Sequence, residues 1–256
     1  MTAGLPLAGR VGVVTGASAG IGAATAQALA AAGMAVVLGA RRADRLAAVC
    51  AAIEAAGGRA LAVPTDVRDE AQVDRLVDAA AARFGRLDAL VNNAAVGVLG
   101  TVAEADAAQW RTTLETNVLG VVFATRAALR HMLPRGAGDI VTMTSASMHG
   151  GWPYLSAYAA SKAAVAALAR SLRAEVASRG VRVMTIEIHQ VASEFGTHLD
   201  PALLPRALAA WRALGLLDPA GAVLAPADVA RAVVFQLAQP DPVSVHDLAI
   251  RPRTTA

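Results

Sequence analysis

Tyr158 and Lys162 are the residues with the most chemistry to offer. The chain holds two tyrosines, Tyr154 and Tyr158, and its one lysine stands four residues after the second. On a helix that spacing puts the two side chains on one face, a turn apart. A free phenol has a pKa near 10 and is only about 0.1% ionised at neutral pH. A cation about 4 Å away is worth on the order of 4 kcal/mol at an effective dielectric of about 20, or about three pKa units. The pair therefore reads as an acid or base working near neutrality. Only this one of the 23 basic residues is a lysine, in a chain that uses arginine everywhere else. A compact ammonium approaches a phenol and a hydroxyl where a planar guanidinium fits poorly.

A second group of residues points to a phosphate-bearing cofactor. Thr15-Gly16-Ala17-Ser18-Ala19-Gly20-Ile21-Gly22 follows an apolar run and opens a helical stretch. Glycines there let the turn tighten and the backbone approach a pyrophosphate, which sits among the unpaired N–H groups of a helix start. Gly16, Ser18, Ala19, Gly20, Ile21 and Gly22 are the expected contacts. The next apolar run, Ala35–Ala40, leads into Arg41 and Arg42, with no acid where an NAD site would hold the ribose 2′-OH. Two arginines offer a fork for a 2′-phosphate instead, so NADPH is the expected cofactor. A solvated arginine pair at a helix start is the alternative. Asp66 and Val67 are placed to meet the adenine, or Asp66 caps a turn.

Positioning these groups requires strands alternating with helices. Val11–Thr15, Ala35–Ala40, Arg59–Pro64, Ala89–Asn92, 139–144, Val181–Ile188 and 244–250 read as short strands. Stretches near 20–32, 43–56, 69–84, 107–133, 156–179 and 226–238 have helical spacing. The pattern predicts an α/β fold: a Rossmann-type, doubly wound, seven-stranded parallel sheet with helices on both faces. No repeat or linker divides residues 1–256, which read as one dinucleotide-binding domain. Segment 193–225 departs from the rhythm. Phe195, Leu199, Leu203, Leu204, Leu208 and Trp211, flanked by Pro201, Pro205 and Pro219, form an apolar face that reads as a substrate lid or an extra packing helix.

Composition removes other classes. The chain is 55% hydrophobic and 17% charged, which excludes disorder. The net charge is only +3, arginines are scattered and aromatics are 4%, so no nucleic-acid surface is expected. No apolar run reaches the roughly 18 residues of a membrane span, and no secretory leader is visible, so the expectation is a cytoplasmic protein. A single cysteine, Cys50, excludes an internal disulfide and a cysteine-rich zinc site, and no metal is expected.

With these motifs in place, the chain resembles the short-chain dehydrogenase/reductase (SDR) family from about residue 7 to residue 250. The family's glycine motif stands as Thr15–Gly22, its Asn-Asn-Ala-Gly motif as Asn92-Asn93-Ala94-Ala95, and its Tyr-x-x-x-Lys motif as Tyr158 to Lys162. Its serine falls at Ser145 and its structural asparagine at Asn117, within Thr116-Asn117-Val118. The resemblance implies that Tyr158 gives a proton to a carbonyl oxygen while NADPH delivers hydride to the carbon, or takes one in reverse. It implies that Ser145 orients that oxygen, that Lys162 holds the nicotinamide ribose and lowers the tyrosine pKa, and that Asn117 fixes a water linked to Lys162. Asn93, Ala94, Val191 and Ser193 fall on cofactor positions. The segment 245–252 is similar to a narrower group that includes the clavulanic acid dehydrogenase type, implying an NADPH-dependent homo-oligomer, tetramer or dimer.

Two departures stand out. Ala95 replaces the glycine of Asn-Asn-Ala-Gly. After the sixth strand the family's Pro-Gly is replaced by Ile188-His189, followed by Gln190. A bulky imidazole where the family has glycine either enters the substrate cleft or turns away to the loop or to solvent. His149, Trp152 and Tyr154, between Ser145 and Tyr158, join His189 as expected substrate contacts. The leading expectation is an NADPH-dependent carbonyl reductase for a small or medium apolar ketone or aldehyde, in secondary metabolism. The alternatives are an epimerase or cyclase on the same residues and, less favoured, a non-catalytic dinucleotide sensor.

Overall fold

Every apolar run read as a strand joins one sheet. The computed structural model describes residues 5–195, 199–218 and 221–253. Its strands are β1 (Val11–Thr15), β2 (Ala35–Ala40), β3 (Arg59–Pro64), β4 (Ala89–Asn92), β5 (Gly138–Ser145), β6 (Val181–Ile188) and β7 (Asp247–Ile250). They lie in the order β3-β2-β1-β4-β5-β6-β7, and all pairings are parallel. The chain runs outward from β1 to β3, then crosses back past β1 to β4. That reversal opens a crevice at the carboxyl ends of β1 and β4.

The described residues form eight α-helices: α1 (Gly20–Ala31), α2 (Ala43–Ala55), α3 (Glu70–Phe84), α4 (Ala107–Leu114), α5 (Gly120–Met132), α6 (Ser156–Val176), α7 (Leu204–Ala213) and α8 (Pro226–Leu237). Strand alternation sends side chains to two cores. Val14, Val36, Leu38, Met184 and Ile186 meet Leu29 of α1, Leu46 of α2 and Val233 of α8. Val13, Val37, Leu90 and Val183 meet Leu76 of α3, Ala128 of α5 and Leu172 of α6. Helix starts carry their own signals. Asp69 accepts from Gln72 N at the head of α3, and Asp106 from Ala108 N at the head of α4.

The amino end of the sheet is clamped by ions. Asp139, 3% exposed, pairs with Arg10 and accepts from Arg182 Nε and Nη2 at 2.6 and 2.8 Å. Asp88 accepts from Arg86 and Arg135, which hold its carboxyl below the usual range. Catalytic-looking residues gather at the opposite, carboxyl end. Among the described residues no helix is long and apolar enough to cross a membrane.

Candidate active site

Residues 146–155 lead from β5 to α6, whose first two turns bring Tyr158 and Lys162 over the β5 terminus. Lys162 is buried, 5% exposed, and its Nζ donates to the Met143 carbonyl of β5 at 2.7 Å. The same nitrogen lies 5.6 Å from the centre of the Tyr158 ring. Ser145, the last residue of β5, stands close enough to the Tyr158 hydroxyl to pull its pKa down. Ser147 Oγ and Ser147 N donate to Ser145 Oγ at 3.0 and 3.2 Å, which leaves the Ser145 proton to point at the phenol or a substrate oxygen. Ser147 is 2% exposed, and only its place two residues after Ser145 hinted at this.

Burial governs both titrations. It pushes Tyr158 up to about 12, against the opposing pull of Ser145. It pushes Lys162 down to about 8. The expected lowering of the phenol is therefore not the state of this structure. Desolvation outweighs the ammonium, whose shortest bond goes to a carbonyl. A phenol held protonated at neutral pH is the form a proton donor needs.

Asn117 lies in a π-helical turn, Glu115–Leu119, between α4 and α5. Its Oδ1 accepts from Val96 N and its Nδ2 donates to Val96 O, both at 2.8 Å. Nδ2 also donates to Ser161 Oγ at 2.9 Å, and Ser161 donates to the Tyr158 carbonyl at 2.7 Å. Asn117 thereby ties the loop after β4 to the turn of α6 that carries Tyr158. Ser161, fully buried one residue before Lys162, was not legible as part of this chain of bonds.

The glycine loop connects β1 to α1 in the crevice. Gly16 has φ +68°, and a Cβ there would lie 2.8 Å from Ala94 Cα. A Cβ on Gly22 would lie 2.2 Å from the Gly16 carbonyl oxygen. Both positions demand glycine. Ala19, the residue before α1, offers no side-chain cap, and no acid stands in the first turn, so the helix start keeps its N–H groups for an anion. Ala17 is buried, while Ser18, Ala19 and Ile21 line the partly exposed rim. Asn93 Nδ2 donates to the Thr15 and Gly16 carbonyls at 2.9 and 3.3 Å, and Asn93 N and Ala94 N both donate to Thr15 Oγ1. Ser193 comes within 3.5 Å of the place a Gly20 Cβ would occupy. Val191 pairs with Leu224 as an isolated bridge.

A family profile described as short chain dehydrogenase matches residues 10–203. The chain belongs to the short-chain dehydrogenase family. It is 43% identical to the cis-4-hydroxycyclohexanecarboxylate dehydrogenase of Sinomonas cyclohexanicum, over 91% of this chain and 90% of that one. It is 37% identical to a glycine betaine reductase of Emericella nidulans over 97% of its own length, spanning only 19% of that larger protein. A short chain dehydrogenase from Burkholderia cenocepacia, solved in complex with NADP, superimposes with a TM-score of 0.83 at 34% identity, covering 96% of this chain and 97% of that chain. Membership makes this chain an oxidoreductase with a nicotinamide dinucleotide cofactor.

In this short-chain dehydrogenase the other expected residues fall into three places. Arg42 lies against the glycine loop, donating to Ser18 Oγ from Nε at 3.2 Å and Nη2 at 3.1 Å, while Arg41 is exposed. Asp66 closes a turn, accepting from Arg68 N at 3.0 Å and from the Arg68 guanidinium, which lowers its pKa. Val67 is buried against Gly120. On the far side of Tyr158, Trp152, Tyr154, Phe195 and Trp211 share an apolar cluster with Leu199, Leu203, Leu204 and Leu208. Phe195 lies 4.9 Å from the Tyr158 ring centre, and Trp152 meets Trp211 edge-on at 5.4 Å. Trp211 Nε1 donates to the Pro153 carbonyl at 2.7 Å, fastening α7 to the loop before Tyr158. Tyr154 holds φ +66°, an unusual backbone state for a residue with a side chain. Beside Ala157, between α4 and Leu203, lies a cavity of about 340 Å³.

The two histidines meet a residue that the sequence did not single out. His149 Nε2 and His189 Nε2 approach the two oxygens of Glu187 at 2.9 and 3.3 Å. Glu187, on β6, is a carboxylate within an apolar strand, and that contrast was its only signal. His189 thus bonds within its own strand end, and its backbone N–H continues the ladder to Ile250. Pro219 and residues 196–198 of the expected lid lie outside the described residues.

Proposed function

We propose that this chain is an NADPH-dependent carbonyl reductase, reversible as an alcohol dehydrogenase, for a small or medium apolar ketone or aldehyde of secondary metabolism. One observation carries it: a half-buried tyrosine, protonated at neutral pH, beside Ser145 and with the buried ammonium of Lys162 5.6 Å from its ring. The crevice suits a nicotinamide dinucleotide, because Gly16 and Gly22 let the loop pack tightly against Asn93 and Ala94 and so present an uncapped helix start whose N–H groups remain available to a pyrophosphate. Gly16 to Gly22 and the first turn of α1 would hold the pyrophosphate, and Ser18, Arg41 and Arg42 the 2′-phosphate. Asp66 and Val67 would border the adenine. Asn93, Ala94, Val191 and Ser193 would border the nicotinamide, and Lys162 its ribose.

When bound, the reduced nicotinamide supplies a hydride to the carbonyl carbon. Ser145 donates a hydrogen bond to the carbonyl oxygen and Tyr158 gives it a proton. The Lys162 ammonium stabilises the phenolate left behind, and Asn117 keeps the turn of α6 in register. Segment 193–225 serves as the substrate lid, with Trp152, Tyr154, Phe195 and Trp211 as an apolar wall. His149 and His189, gathered on Glu187, stand at the edge of that site. Among the described residues β7 pairs with β6 alone, and this open edge supports assembly into a homo-oligomer, dimer or tetramer. The test is Tyr158→Phe assayed on a panel of cyclic and open-chain ketones and aldehydes. Reduction should fall by about 10² to 10⁴ with NADPH binding nearly intact. Retained turnover defeats the mechanism.

A further inference from the structure

Arg42, assigned above to the cofactor 2′-phosphate, already holds an anion from another part of the chain. The Nη2 that donates to Ser18 Oγ also pairs with Glu194 Oε2 at 3.0 Å. Arg45, three residues further along α2, adds a contact from Nη1 to Glu194 Oε1 at 3.5 Å. Glu194 belongs to the segment after β6, next to Ser193, whose Cβ lies 3.5 Å from where a Gly20 Cβ would stand. A carboxylate at the start of the insertion is therefore drawn into the arginine fork at the end of β2.

We infer that Glu194 is a cofactor-discriminating residue, whose carboxylate competes with the cofactor 2′-phosphate for the Arg42 guanidinium. This rests on the reading that Arg42 binds that phosphate. A guanidinium presents its donors in one plane and in fixed directions. Ser18 and Glu194 already use two of its three nitrogens, so a phosphate must displace the carboxylate or share the cation with it. Displacement gives up the Arg42–Glu194 pair and sharing sets two negative groups around one cation, so each route penalises the phosphorylated dinucleotide. NADH carries no charge at that position and meets no such competitor. The side chains of Arg42 and Glu194 are 41% and 38% exposed, so water and salt screen the effect to a few-fold.

The experiment is a fluorescence titration of the whole protein with NADPH and with NADH, comparing wild type, Glu194→Gln, Arg42→Ala and the double variant. Glu194→Gln should bind NADPH about three- to fivefold more tightly at low salt, with NADH affinity unchanged and the gain shrinking as salt rises. In the Arg42→Ala background the same change should give no gain. Unchanged or weaker NADPH binding by Glu194→Gln overturns the inference, as does a gain that survives Arg42→Ala. If Arg42→Ala leaves the ratio of NADPH to NADH affinity unaltered, the phosphate reading itself fails. If Arg42→Ala lowers that ratio and Glu194→Gln does nothing, only the competition fails.

Discussion

Replacing Lys162 by methionine should stabilise the fold at neutral pH while removing the function. Burial takes the ammonium from 10.5 to about 8. That drop corresponds to about 3 kcal/mol of folding free energy spent on keeping the charge inside. Methionine carries no charge but abandons the Met143 carbonyl, which costs about 1 to 2 kcal/mol. The net gain near neutrality is about 1 to 2 kcal/mol. Its sign depends on pH. The lysine pKa is lower in the folded than in the unfolded state, so the penalty is complete below about 8 and is relieved as pH rises towards 10.5. The advantage of Lys162→Met should therefore shrink by about 2.5 kcal/mol between about pH 7 and about pH 10, becoming a disadvantage at the upper end. Urea unfolding of both proteins at the two pH values measures this directly. A difference that stays constant across the range refutes a depressed lysine. A variant less stable than wild type at pH 7 refutes the size of the burial penalty.

Alcohol oxidation should climb with pH while carbonyl reduction does not, because the phenol, pushed up to about 12, must lose its proton before it can accept one from substrate. Profiles of kcat/KM in both directions test this, and parallel profiles count against it. Asp139→Asn should cost roughly 2 to 3 kcal/mol in urea unfolding, since Arg10 and Arg182 would lose a buried counter-ion at the amino end of the sheet. Its active site, at the other end, should keep its KM. Ser147→Ala should lower kcat by about tenfold or less and leave NADPH binding intact, because it removes one donor that orients Ser145. Unaltered kcat would show that Ser145 needs no such support.

The sheet and its helices were legible because apolar runs, glycines and helical spacing are local signals. Five of the seven strands have the predicted bounds. β7 is shorter than 244–250 because long-range side chains take its leading carbonyls: Gln236 Nε2 donates to Val245 O at 3.0 Å and Arg173 Nη2 to His246 O at 3.2 Å. The stretch 107–133 reads as one helix, yet a π-helical turn at Asn117 divides it, and apolar periodicity is blind to one extra residue in a turn. Tyr158, Lys162, Ser145 and Asn117 converge as their motifs imply. Glu187, Ser147 and Ser161 escaped because their meaning lies in partners that only folding supplies. The titration of the tyrosine was misjudged for a related reason. Spacing gives the distance to a cation, whereas desolvation depends on everything packed around the ring.

The base of the insertion after β6 is sewn shut. Ala192 N donates to Leu224 O and Leu224 N to Gln190 O, both at 2.9 Å, so the segment leaves the sheet and returns through one closed seam. What lies beyond that seam can change in length with little strain on the fold, because doubling a loop costs only about 0.6 kcal/mol in closure entropy. The insertion proposed above as the substrate lid is in this sense an exchangeable cassette on the parallel sheet. Transplanting the corresponding segment from a relative, cut at Gln190 and Leu224, is the route by which this scaffold would acquire a different substrate while keeping its hydride chemistry.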